Sequence, residues 1–91
     1  MDKVIAGQIA DEKLQEYLKK DSKTIEKLLT ESEHEFITRN GVEYQLRVTS
    51  MYEDKDSERI GKVVVIVSID DQKFWSTFMP LCKSDYYYIN G

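Results

Sequence analysis

What this sequence lacks narrows its chemistry more than what it holds. A single cysteine, Cys82, excludes an intrachain disulfide and a thiolate cage for zinc built from one chain. There is one histidine, His34, and one proline, Pro80, and the four glycines (Gly7, Gly41, Gly61, Gly91) are scattered, so neither a GxGxxG turn nor a Walker phosphate loop occurs. The longest apolar run, Val63 to Val67, is far short of the roughly 20 residues a membrane helix needs. The opening stretch MDKVIAGQIADEK breaks its apolar residues with charge and lacks the h-region and cleavage site of a secretory leader. A cytoplasmic protein with no membrane association is the expectation.

Excess positive charge is missing as well. The net charge is −4, and it divides unevenly: residues 1–32 hold six lysines against seven acids, residues 33–58 three basic residues against seven acids, and residues 59–91 four against three. An acidic middle disfavours binding to phosphate backbones. What is present is ordinary globular usage, 41% hydrophobic and 33% charged over 91 residues, enough chain for one core and no more. One domain is expected, helical over 1–32 and mostly antiparallel β over 33–91.

From Ile9 the apolar residues fall at Ile9, Ala10, Leu14, Tyr17 and Leu18, then Ile25, Leu28 and Leu29, with charges between, which is the spacing of an amphipathic helix. Asp21 stands where the stripe calls for an apolar residue. Either one helix runs from about Gln8 to Thr30 with a polar notch, or Ser22 caps a second helix starting at Lys23. One helix, continuous or kinked near Asp21-Ser22, is the expectation.

After Ser32 the period changes to alternation about Asn40-Gly41, a strong hairpin signal. A two-residue turn pairs Arg39 with Val42 and Ile37 with Tyr44. A three-residue loop with Gly41 in a bulge pairs Thr38 with Val42, Phe36 with Tyr44 and His34 with Leu46. The second places Phe36 on the Val42, Tyr44, Leu46, Val48 face and is the expected register. YEDKDSE then reads as a solvated acidic loop, and RIGKVVVIVSI as a central strand, apolar on both faces. FWSTFMPLCK is read as a strand in preference to a helix, ending or bulging at Pro80. In the closing KSDYYYING, strand alternation puts Tyr86 and Tyr88 on one face and Tyr87 with Ile89 on the other. The predicted fold is α+β: an N-terminal helix packed on one face of an antiparallel sheet of four or five strands.

Catalytic and metal chemistry find no support. His34 lies between Glu33 and Glu35 with no identifiable nucleophile, and Cys82 has no activating context, so the pair could act as nucleophile and base only if folding joined them. Asp54, Asp56 and Glu58 imitate a calcium loop, but counting from Asp54 the sixth position is Arg59 instead of glycine and the twelfth is Val65 instead of glutamate. No cofactor, no metal and no enzymatic activity are expected. The positive signal is aromatic residues near a sheet edge, which suits a small non-catalytic protein of the adaptor, inhibitor or immunity type. It would act through an unidentified protein partner or its own copy, with Trp75, Tyr86 and Tyr88 in the contact surface. The alternative is a single-stranded nucleic-acid module in which Lys62, Lys73 and Lys83 flank the same aromatic face, a reading that the net charge disfavours.

Overall fold

A computed structural model of the chain describes residues 3–70 and 81–89. The expected helical stripe begins earlier than Gln8: helix α1 spans Lys3–Leu18 and buries Ala6, Ile9, Ala10 and Leu14 along one side, with Tyr17 and Leu18 packed at the margin. It does not continue through Asp21. The last turn tightens through bonds from Lys19 N to Glu16 O and Lys20 N to Tyr17 O, the chain becomes extended at Asp21, and a short helix α2 (Ser22–Lys27) follows. The single helix is therefore corrected to two helices. The cap is Asp21 and not Ser22: its carboxylate accepts from Thr24 N at 3.0 Å and from Thr24 Oγ1 at 2.7 Å, satisfying a helix N-terminus that an uninterrupted helix would not contain. Ser22 becomes the first helical residue and donates its hydroxyl to Ile89 O at 2.9 Å. The break lets α2 turn Ile25, with Leu28 just beyond it, into the core.

Four antiparallel strands follow, β1 (Glu33–Arg39), β2 (Val42–Met51), β3 (Lys62–Asp70) and β4 (Leu81–Tyr88), in the order β1-β2-β3-β4. The hairpin lies at Asn40-Gly41 as expected, but its register is the other one: Arg39 pairs with Val42, Ile37 with Tyr44 and Glu35 with Leu46. Asn40 and Gly41 both take positive φ, 52° and 74°. A two-residue turn with both residues left-handed matches the twist of the flanking strands, and that decides the register over the burial of the larger ring. Phe36 consequently leaves the core face and is 60% exposed.

The acidic segment is also corrected. It is not a loop throughout but holds a helix α3 (Lys55–Ile60), opened by Asp54, whose carboxylate accepts from Ser57 N at 2.7 Å, and closed by Gly61 at φ 74°. The left-handed closing position is the usual place for glycine at a helix end. The preferred strand over 74–79 lies outside the described residues.

The core sits between α1 and the sheet. Val63, Val65, Val67 and Ile69 of β3 and Tyr44, Leu46 and Val48 of β2 are buried beneath the helices, with α1 lying against β3 and β4. At the β1 side, Lys13 reaches Glu35 at 2.7 Å and Glu16 at 3.0 Å, and Arg39 meets Glu12 at 3.1 Å. Burial alone would lower the Lys13 pKa, but the bonds and charges of Glu35 and Glu16 together outweigh it and hold the ammonium above its ordinary value. The fold is α+β with helix on one face of a four-stranded antiparallel sheet.

Candidate functional site

A sheet with helices on one side leaves its second face for the odd-one-out residues of each strand. Register across the strands places Met51, Val64 and Tyr86 in one row, Lys62 beside Tyr88 in the next, and Thr49, Ile66 and Ser84 on the other side of the first. β3 is apolar on both faces because it is central: its core-side valines are fully buried, whereas Val64 and Ile66 are only half-buried. Tyr86 is 45% exposed, Tyr88 53% and Met51 51%, so the three rows form a partly apolar, aromatic surface on the face away from α1. Tyr87 points the other way. It packs against the core with Ile89 and donates its hydroxyl to Lys20 O at 2.7 Å, so the tyrosine run divides between the faces as alternation requires.

α3 builds the rim of this surface. Its capped start brings Glu53 next to the last strand, and the Gly61 turn delivers Lys62 to the start of β3, where Ile89 N closes on Gly61 O at 2.7 Å. The Lys62 ammonium stands 4.1 Å from the Tyr86 ring centroid, and the Tyr86 hydroxyl donates to the Glu53 carboxylate at 3.2 and 3.3 Å. Tyr86 is thereby held from its face and its tip, which sets its orientation in advance of any contact. Asp85 accepts from Tyr86 N at 2.7 Å. Trp75, the third aromatic expected at the surface, lies outside the described residues.

The other candidates do not assemble a reaction centre. His34 and Cys82 share a face and a cross-strand row, His34 to Arg47 to Ser68 to Cys82. With strands about 4.8 Å apart, two intervening strands hold them roughly 14 Å from each other. Cys82 Sγ instead lies 3.3 Å from Ser68 Oγ. Asp54 is committed to capping α3, and the hydrogen bond from Ser57 N holds its pKa below the ordinary carboxylate value; no group of carboxylate, histidine or cysteine side chains among the described residues is arranged to hold a metal ion.

Sequence reasoning put Lys62 beside the aromatic face only in the nucleic-acid alternative, and missed Met51 and Glu53. Lys62 and Met51 each stand one residue from a core-facing strand position, Val63 and Ser50, and so lie on the open face, which is readable only once the strand pairing is known. Glu53 joins through α3, whose signal was present as Asp54 three residues before Ser57 and Gly61 at the end. No protein-family model, no curated protein and no solved structure matches the chain.

Proposed function

We propose that the chain is a small non-catalytic intracellular binding protein that engages another protein through the aromatic end of its open sheet face, with Tyr86 and Tyr88 as the anchoring side chains. The observation that carries the reading is the exposure of Tyr86 and Tyr88 side by side with Met51 on the face that α1 does not cover. Rigid aromatic rings give a large contact area at little cost in ordering, and the Lys62 and Glu53 contacts lower that cost further for Tyr86. An adaptor, an inhibitor or an immunity protein would each fit this description.

The test is a paired capture from the native host, wild type against a Tyr86→Ala/Tyr88→Ala variant, with proteins quantified by mass spectrometry. The reading expects a protein that is retained by the wild type and lost with the variant, while the variant keeps its cooperative melt. An identical captured set from both baits contradicts it.

One observation favours a second reading, single-stranded nucleic-acid binding: a lysine stacked on an exposed ring, Lys62 on Tyr86, is the pairing that holds a base beside a phosphate. Glu53 at the tip of the same ring and the net charge of −4 weigh against it. Retention on a DNA or RNA oligonucleotide that falls steeply with salt would select this reading over the first.

A further inference from the structure

The strand at the far edge of the sheet from the tyrosines reads as its own complement. Among the described residues β1 pairs with β2 alone. A two-residue turn closes on a hydrogen-bonded pair, here Arg39 with Val42, and the pattern alternates from there. Glu33, Glu35, Ile37 and Arg39 therefore direct their backbone groups to β2, whereas His34, Phe36 and Thr38 direct theirs away from the sheet. An outward row of this kind is a template for another strand.

We propose that the row is taken by β1 of a second copy, running antiparallel about a two-fold axis at Phe36. In that register Phe36 faces its own counterpart and His34 faces Thr38 of the second copy, so every outward N–H and C=O of the three residues finds a partner. On the helix side Glu33 faces Arg39 of the second copy, and Arg39 faces its Glu33. Glu33 has no ion-pair partner among the described residues, and the half-buried Arg39 holds a single carboxylate, Glu12 at 3.1 Å, which leaves its guanidinium able to take a second. The ring of Phe36, left 60% exposed by the hairpin register, is covered by the same step.

Neighbouring registers are each opposed by a particular residue. Centring on Glu35 sets Glu35 against Glu35, like charges directly opposite, and pushes Thr38 past the end of the partner strand. Centring on Ile37 aligns His34 with Asn40, whose φ of 52° is not that of a strand. A parallel, in-register pairing stacks Glu33 on Glu33 and Glu35 on Glu35. Charged edge residues ordinarily prevent strand pairing; here they oppose the Glu35-centred and the parallel arrangements, while the left-handed Asn40 opposes the Ile37-centred one. The inference does not depend on the aromatic surface, which belongs to β3, β4 and the end of β2. It places two such surfaces on one continuous sheet face.

Sedimentation equilibrium of the full chain over a concentration series, with circular dichroism to verify folding, tests the proposal. The expected species is a dimer, twice the 10.7 kDa of the chain, with amides of His34, Phe36 and Thr38 gaining protection from hydrogen exchange as concentration rises. Glu33→Arg and Arg39→Glu should each weaken dimerisation by roughly tenfold, because the pair occurs twice in the dimer and attraction becomes repulsion. The double reversal Glu33→Arg/Arg39→Glu should restore it. A chain that stays monomeric with those amides freely exchanging overturns the proposal, as does a dimer indifferent to both single reversals. Loss of the dimer on Tyr86→Ala/Tyr88→Ala alone would also overturn it and move self-association to the aromatic surface.

Discussion

Gly41→Val isolates the backbone cost of the hairpin turn from every other contribution. At φ 74° the residue is in the left-handed region, and a Cβ built there meets no heavy atom within 4 Å. No clash enters, so the whole penalty is conformational. An L-residue in this region costs roughly 1–2 kcal/mol, and a β-branched side chain belongs at the upper end of the roughly 1–3 kcal/mol range for strained dihedrals. Gly41→Ala should therefore lose about 1 kcal/mol and Gly41→Val about 2 kcal/mol, whereas Gly41→Asn, which tolerates the conformation, should lose less than about 1 kcal/mol. Equilibrium urea denaturation reads these as shifts in midpoint at constant slope. For a domain of this length each 1 kcal/mol corresponds to roughly 4–8 °C in melting temperature. A valine variant with the wild-type midpoint, or one no worse than asparagine, would mean that the chain does not hold this turn.

Three further outcomes follow from the packing and the caps. A fragment spanning 33–91 should fail to give a cooperative melt, since it lacks Ala6, Ile9, Ala10, Leu14, Ile25 and Leu28 of the core; a soluble fragment that melts cooperatively would show that the helices are dispensable. Ser50 buries a hydroxyl with no partner among the described residues, so Ser50→Ala should stabilise by about 1 kcal/mol in the same denaturation assay, and a loss of stability would reveal a partner for that hydroxyl. Asp21, through the Thr24 hydroxyl and then the Thr24 N–H, and Asp54, through the Ser57 N–H, are held below the ordinary carboxylate value of 3.8. Lowered folded-state values make their contribution full above pH 3.8 and lost as pH falls through the lower folded values. Asp21→Asn/Asp54→Asn keeps the cap acceptors but should flatten this part of the acid dependence of the melting temperature; an unchanged acid profile would count against the two caps as its source.

The sequence carried the layout of the fold and lost the details where local chemistry competes with periodicity. β3 is legible because five consecutive valine and isoleucine residues, Val63 to Val67, at this length indicate a central strand, although only its Val63, Val65 and Val67 side is fully buried. Asn40-Gly41 locates the hairpin, but turn twist and not burial of Phe36 sets its register, and the one-residue difference from the expected pairing puts every β1 side chain on the other face. The helix break at Asp21 and the short helix at 55–60 share one cause. Each rests on an aspartate cap with a hydroxyl residue three positions on, a signal strong in hydrogen-bond terms and weak in hydrophobic pattern. Of the site, alternation alone separated Tyr86 and Tyr88 from Tyr87. Their neighbours Met51, Lys62 and Glu53 come from other elements, and only strand pairing brings them together.

The proposed contact surface is the aromatic end of the open face. Photo-crosslinking tests it most directly, with a benzophenone amino acid placed at Tyr88 in one bait and at Val4, which is 70% exposed on α1, in another, each expressed in the native host. A discrete protein adduct is expected from position 88 and none of that mass from position 4. The same adduct from position 4, or no adduct from position 88 while the wild type still captures a partner, would contradict it.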